Sequence, residues 1–466
     1  MDEGLGGACT LLAVRHSESD GQVRVVFEFD RLPEYSLAQT RNPSRVVLEF
    51  RNTLATSASI VDSAGNGVAL QRVRVSMPSC NTTRAVVDLR YPLGEGRALL
   101  LNDPPRIVVD IPKRYENSTF TFVAPGIRYL QLERGTPQGP LRVDAVYIDL
   151  SHPSISVRPV LAGNGRFGRD TVSAIARRHG ALVAINGIYF APDGRPLGLV
   201  ILDGRIVAAP QYDRTAVGFT KDGRVLFDRV SMKGHVTRQD GISFPISGIN
   251  RPRAQSDIVI YTPEWGDSTR TDHSGLEIGV LNDTVVSVGT GDLRIPAEGF
   301  VVSIGSGSVV NFAGVRLGDQ LKVSLTLSPD WIGMGVRDAL GAGPRLVSDG
   351  KITVTAQEEH FQADVAAGRA PRTALGVTRD NHLILLAATG RQRDISVGLT
   401  LEELAGLMIE LGAVDALNLD GGGSSTLAIR GFVVNLPSGG QERKVGDAIL
   451  VFDDGRPAGH DMSGGN

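Results

Sequence analysis

Residues 417–427 read Leu-Asn-Leu-Asp-Gly-Gly-Gly-Ser-Ser-Thr-Leu, and they bring a single carboxylate, Asp420, to the end of an apolar run that begins at Val414. Gly421, Gly422 and Gly423 follow, then the hydroxyls of Ser424, Ser425 and Thr426, before strand-forming residues resume at Leu427. Three consecutive glycines are costly in backbone entropy. They fit where the main chain bends sharply or where its N–H groups must meet a ligand. A carboxylate fixed at a strand end, beside amides and hydroxyls, suits charge stabilisation on a small polar ligand. A plain glycine-rich hairpin has the same local sequence, so the surroundings must decide.

Upstream, Thr400 to Leu411 have helical periodicity, with Leu401, Leu404, Leu407, Met408 and Leu411 on one face and Thr400 with Glu403 as a capping box. Gly412 ends the helix, and Asn418 comes six residues later. A second copy lies at Asp170 to Gly180, with Asp170 expected as the N-cap, Gly180 as the stop and Asn186 six residues on. Two further segments recur. Leu199–Ile206 parallels Leu346–Ile352, and Arg214–Asp222 parallels Arg372–Asp380. Two intertwined, pseudo-twofold halves are therefore expected. Equivalent strand ends would then bring Asn186, Asn418 and Asp420 into one cleft with Arg214 or Arg372. Ile188 stands opposite Asp420 in the alignment of the halves, so this position holds one working carboxylate. Between the halves, about 250–328 is β-rich. It includes a Gly275–Val288 hairpin with an Asn282-Asp283 turn, which carries a second candidate acid, Glu277.

Residues 10–112 alternate apolar and polar. Four segments share one shape, a basic residue followed by β-branched apolars with an acid inside the run: Val23–Phe29, Arg45–Phe50, Arg84–Leu89 and Arg106–Ile111. This twofold repeat of strand pairs, without helix patterns, predicts a small antiparallel sandwich. The expected class is thus α+β: an N-terminal β-sandwich at 10–112, a polar linker at 113–119, a larger β-rich α+β domain of two halves at 120–457, and a flexible tail at 458–466.

The bulk numbers bound the function. The chain has 466 residues, 41% of them hydrophobic, with net charge -3 and no long run of one sign. That excludes wholesale disorder and a nucleic-acid footprint. No apolar stretch reaches the length of a membrane span. Cys9 and Cys80 show neither metal-ligand nor redox spacing, and they are open to pairing or to separate free thiols. Met1 opens a polar segment that lacks the ordered sections of a signal peptide, so either the protein is not exported or that peptide is missing from this sequence. Leu5–Cys9 is similar to a lipoprotein cleavage site without its apolar stretch.

The N-terminal pattern resembles an AMIN domain, a module of bacterial envelope proteins associated with peptidoglycan. The remainder resembles the phosphodiester glycosidases, the family of the enzyme that removes N-acetylglucosamine from a phosphodiester to leave mannose 6-phosphate. The matching pieces are Asn186–Phe190, Asn250–Arg253, Gly343-Pro344, Asp349-Gly350, Arg372–Ala374, Gly390-Arg391, Gly398–Thr400 and Asn418–Thr426. Thr389 stands where the family often has an acid, and Ile188 where it often has Gly or Asp. Both departures bear on substrate rather than fold.

The resemblance implies a sugar leaving a phosphate at its anomeric carbon through an oxocarbenium-like transition state. The departing phosphate monoester is already a stable anion, so the site relies less on a general acid than on cations, N–H donors and one carboxylate. Asp420 is then the nucleophile or base, with Glu277 as the alternative acid. Arg372 and Arg391 would clamp phosphate. Asn186, Gly187, Thr373, Asn418, Gly421, Gly422, Gly423, Ser424 and Ser425 would hold substrate. Each has a plain structural reading too: surface ion pairs for the arginines, and turns or caps for the asparagines. No metal and no cofactor is assigned. The partner is a carbohydrate or sugar phosphate, with peptidoglycan through the N-terminal domain, and the expected location is periplasmic or extracellular. Two other functions fit the same residues. One is an ordinary glycoside hydrolase, which needs a second carboxylate about 5–10 Å from Asp420. The other is a phosphosugar-binding protein without turnover.

Overall fold

The computed structural model describes residues 7–453, so the expected tail at 458–466 lies outside the described residues. The chain forms two compact units. The first comprises residues up to Thr119 together with Gln131–Val143 and Gly390–Gly398; the second comprises Phe120–Leu130, Asp144–Thr389 and the chain from Leu399 onward. Linear sequence gives no sign that 390–398 joins the first unit. The attachment is made by hydrogen bonds such as Val397 N to Pro140 O (2.9 Å) and Arg142 N to Ser396 Oγ (3.1 Å).

The first unit contains two five-stranded sheets. In one, Gln22–Phe29 is central between Cys9–Glu18 and Pro105–Pro112, all antiparallel. In the other, Ser44–Arg51 and Thr82–Leu89 are central. Strict alternation buries Val23, Val25, Phe27 and Phe29 from the first sheet, and Phe50 of the second packs on Phe27 and Phe29 at 5.2 and 5.1 Å between ring centroids. The acids inside the apolar runs meet basic residues across strands: Arg24 holds Asp110 through two bonds of 2.6 and 2.7 Å, and Asp88 receives Arg45, Arg72 and Arg74. Residues 113–119, read as a linker, are instead structured. Lys113 Nζ is buried against Glu18 at 2.7 Å, and a strand, Glu116–Ala124, starts within the segment. Both thiols are free; Cys9 is buried and donates to Arg31 O at 2.8 Å, and Cys80 is exposed.

The second unit is β-rich with two short helices of note, which agrees with the expected class. Val172–His179 is capped by Thr171, one residue beyond the expected Asp170, because the Thr171 hydroxyl accepts from Ala174 N. Leu401–Glu410 has the full Thr400/Glu403 capping box. Two of its sheets have the same order. In one, the hairpin Val200–Leu202/Arg205–Ala208 lies beside Val336–Gly341, then Thr215–Thr220 and Val225–Arg229. In the other, the hairpin Arg345–Ser348/Lys351–Ile352 lies beside Ala413–Asn418, then Arg372–Thr378 and His382–Ala388. The sheet partner equivalent to Ala413–Asn418 is therefore Val336–Gly341. Val183–Asn186, matched to it by the helix-glycine-strand pattern, lies in a third sheet between Leu427–Ile429 and Asp447–Asp453. The helix-glycine signal is local, and pairing across more than 100 residues overrides it. The Asn282-Asp283 turn forms as read, with both residues at positive φ (49° and 58°).

Asp88 gives a test of the first unit. Burial pushes its carboxyl up, but bonds from Arg74, Arg72 and Arg45 outweigh this and hold it below the usual range. A depressed pKa contributes stability that is present above the unfolded value and lost as pH falls through the folded one. Asp88→Asn is expected to destabilise the Thr82–Leu89 strand by about 1–3 kcal/mol at neutral pH, and by less near pH 3. Amide hydrogen exchange of that strand measures it.

Candidate active site

Gly187 ends the Val183–Asn186 strand and fixes two carboxylates. Its carbonyl accepts from Asp420 N (3.0 Å), and its N–H donates to the carbonyl of Asp447 (3.2 Å). The Asp447 side chain turns to the same place: Oδ1 accepts from Ile188 N at 2.9 Å. A Cβ at position 187 would stand 1.7 Å from that oxygen, so only glycine fits. Asn186 completes the joint by donating from Nδ2 to Asp420 O (2.6 Å), while its Oδ1 accepts from Thr373 Oγ1 and Thr426 N at 3.0 Å each.

Two acids in one buried neighbourhood disfavour ionisation. Burial pushes Asp420 up to about 6, against the Ser424 hydroxyl, the Arg443 guanidinium and the Gly421 amide, which favour the charged form. Asp447 is 1% exposed. Burial and the nearby Asp420 push it up to about 7, with only the Ile188 amide opposing. Asp420 is thus the acid that ionises first, and its charge disfavours the ionisation of Asp447. Ser424 Oγ influences Asp420 without completing a hydrogen bond of good geometry.

The glycine turn is tied to the residue that leads into the Arg372–Thr378 strand. Gly422 N donates to Pro371 O at 2.8 Å, and Ser424 N to Gly421 O at 3.1 Å. Gly421, Gly422 and Gly423 stay partly exposed; Ser424, Ser425 and Thr426 are buried. Arg443 lies along this turn. Its Cδ and Nη1 come within 3.4 and 3.6 Å of a Cβ built at Gly423, and its guanidinium sits 5.8 Å from the Phe190 ring centre.

Several residues read as substrate contacts are corrected. Arg372 is buried, and its guanidinium donates to the carbonyls of Leu399 (3.0 Å), Val365 (2.9 Å) and Gly368 (3.0 Å). It ties backbone together and is spent there. Asn186 and Thr373 are 0% exposed and bonded to each other, and Thr373 also donates to Ser425 Oγ at 3.0 Å. Asn418 donates to Tyr189 Oη (2.9 Å), Gly343 O (3.2 Å) and Leu419 O (2.7 Å). These residues shape the turn from behind. Glu277 sits in another sheet, buried, where Oε1 accepts from Arg253 (2.7 Å), Ser303 (2.7 Å) and Thr271 (2.8 Å). It shares no hydrogen bond or ion pair with the Asp420 cluster. Arg391 belongs to the first unit, where it is exposed at φ 60°. Thr389 is buried and accepts from Leu436 N at 3.3 Å.

The sequence reading missed Asp447, Arg443 and Tyr189. Asp447 opens the strand that pairs with Asn186, and Arg443 lies four residues before it. An acid at the start of an otherwise apolar strand, Asp447-Ala-Ile-Leu-Val, was the available signal. The unpartnered polar atoms also point here. Among the described residues, Asp447 Oδ2, Asn418 Oδ1, Ser424 Oγ, Thr426 Oγ1 and Arg214 Nε are buried without a hydrogen-bond partner. Such atoms are rare in folded proteins, and those of Ser424 and Thr426 lie on the glycine turn next to Asp420.

Comparison with known proteins converges on the same region. Residues 274–452 match the family model for phosphodiester glycosidase, and residues 13–94 match that of the AMIN domain. The chain is 36% identical over 120 residues to the SPbeta prophage-derived uncharacterized protein YomE of Bacillus subtilis, an overlap of 26% of this chain and 18% of that protein. It is 42% identical over 67 residues to the mouse N-acetylglucosamine-1-phosphodiester alpha-N-acetylglucosaminidase, 14% of this chain and 13% of that protein. The chain thus spans less than a fifth of the length of these curated relatives. The crystal structure of a hypothetical protein from Synechocystis superposes with a TM-score of 0.65 at 26% identity, over 96% of this chain and 81% of that one.

The buried pair makes stability depend on pH. A raised carboxyl pKa means that the folded state holds its proton more tightly, so stability is full below the unfolded value near 4 and is lost as pH rises toward 7. Asp447→Asn keeps the acceptor for Ile188 N and removes the charge. It is expected to gain about 2–4 kcal/mol over the parent at pH 8 and nothing at pH 4. Thermal unfolding at the two pH values checks this, and an equal effect at both would refute the shift.

Proposed function

We propose that this chain, a phosphodiester glycosidase by family with an AMIN domain, hydrolyses a sugar from a sugar-1-phosphate diester, with Asp420 as the acting carboxylate. The observation that carries the reading is the half-buried Asp420 at the glycine turn, poised near 6 between a buried second acid and the Arg443 guanidinium. A carboxylate near neutrality serves as base toward water or as nucleophile toward the anomeric carbon. The bond broken joins that carbon to the bridging oxygen. Its electron pair leaves with the phosphate monoester, and water supplies the new sugar hydroxyl. No strong general acid is required, because the phosphate departs as a stable anion.

Asp447 does not serve as the second carboxylate of an ordinary glycosidase in this reading. It is sealed from solvent behind Gly187, where burial and the charge of Asp420 favour its protonated form. Supporting the substrate class are the match to the phosphodiester glycosidase model and the cations beside the acid. The AMIN domain supports an envelope glycan as the setting, at a periplasmic or extracellular location, with peptidoglycan as its partner. Among the described residues no helix is long and apolar enough to cross a membrane.

Incubation with an α-linked N-acetylglucosamine 1-phosphodiester in ¹⁸O-water tests the reaction. Label is expected in the sugar, and label in the phosphate would overturn the bond assignment. Asp420→Asn is expected to lower kcat by about three orders of magnitude without loss of the folded state. The rate should fall on the acid side with a midpoint near 6, set by the Asp420 shift. Full activity in the variant would remove Asp420 from the mechanism.

A further inference from the structure

We propose that Arg214, held in an aromatic cradle, is the anion-binding element of this site and takes the phosphate of the substrate. This rests on the phosphosugar reading above and adds to it the residue that selects a charged leaving group.

Arg214 precedes the Thr215–Thr220 strand as Arg372 begins its counterpart, and the two arginines have different fates. Arg372 is consumed by three carbonyls. Arg214 is half-buried, and its Nε is buried with no hydrogen-bond partner. Among the described residues no carboxylate lies within ion-pair distance of it. Glu359 is the acid that acts on it electrostatically, and Glu359 is occupied: it accepts from Thr215 N (3.0 Å), Thr215 Oγ1 (2.6 Å), Arg345 N (3.1 Å) and the Thr355 hydroxyl. A partly desolvated guanidinium without an ion pair is costly. Rings offset part of that cost. The guanidinium carbon lies 4.0 Å from the Phe361 ring centre, 4.9 Å from Tyr212 and 5.5 Å from Tyr189. Such stacking fixes the plane of the fork and leaves its edge N–H groups for a bidentate oxyanion.

The loop that supplies the cradle carries strain. Tyr212 and Asp213 have φ of 56° and 51°, and a bulky residue rarely adopts the left-handed region. Consecutive residues in it persist where the surroundings require them, commonly at ligand sites. Tyr212 remains 62% exposed, a ring face open to a sugar. Tyr189 connects this cradle to the acid. Its hydroxyl accepts from Asn418 Nδ2, two residues before Asp420, and donates to Gly343 O at 3.2 Å. Its ring packs on Phe361 at 5.5 Å, and both Asp420 and Arg214 act on it electrostatically. A guanidinium against the ring of this tyrosine and a carboxylate within electrostatic reach of its hydroxyl are the two charges that a sugar phosphate requires.

The test compares the parent, Arg214→Lys and Arg214→Ala on two substrates with the same sugar, a methyl phosphodiester and a neutral 4-nitrophenyl glycoside. Both variants are expected to lose at least about 100-fold in kcat/KM on the diester and less than tenfold on the neutral glycoside. Equal losses on both overturn the assignment. Methyl phosphate binding, followed on the parent by the ¹⁵N signal of Arg214 Nε–H, separates this inference from the reaction. A phosphate-dependent shift in that signal, with binding lost in Arg214→Lys, supports the inference even if no substrate is turned over. An unmoved signal overturns it even if the enzyme is active.

Discussion

The joint at Gly187 is the constraint on which the site depends. Here the end of one sheet strand receives Asp420 from a second sheet through a main-chain bond, while Asp447, from the neighbouring strand of its own sheet, fills the space a side chain would need. The joint places two acids where water is scarce. Burial is the physical origin of the raised Asp420 pKa, and the Asp420 charge adds to the burial that raises Asp447. Asn186, Thr373, Ser425 and Asn418 are spent in holding this arrangement, which is why so many polar side chains of the glycine-turn region are buried and bonded to one another.

Much of this was legible in the sequence. Alternation marked the strands of the first unit, and the basic-acidic shape of each segment marked their repeat; the structure shows that these charges pair across strands. The Thr400/Glu403 capping box and the Asn282-Asp283 turn are local devices, and local devices read well. The paired hairpins and the Arg214 and Arg372 strands revealed two related sheets. What the sequence could not carry was pairing at long range. The Val183–Asn186 strand was matched to the wrong partner because its helix and glycine imitate those before Ala413. The segment Gly390–Gly398 and the structured 113–119 depend on contacts that no periodicity encodes.

The site was legible in outline and misread in detail. Asp420 stood out because an acid at a strand end before three glycines sets a carboxylate beside main-chain amides. Arg372 and Arg214 could not be separated, since motif identity says nothing about whether a guanidinium faces carbonyls or rings. Asp447 was hidden because a lone acid opening a strand is usually solvated, and only burial behind Gly187 makes it consequential. On the proposed reading, chemistry is divided between a carboxylate raised by its own burial and cations that meet the phosphate.

The most direct measurement of the central claim is a ¹³C-carboxyl NMR titration of aspartate-labelled protein, with resonances assigned through Asp420→Asn and Asp447→Asn. The account requires two carboxyls that titrate well above the ordinary aspartate range, near 6 and 7, with the Asp447 titration moving to lower pH in Asp420→Asn. Two aspartates that titrate independently near 4 would contradict it.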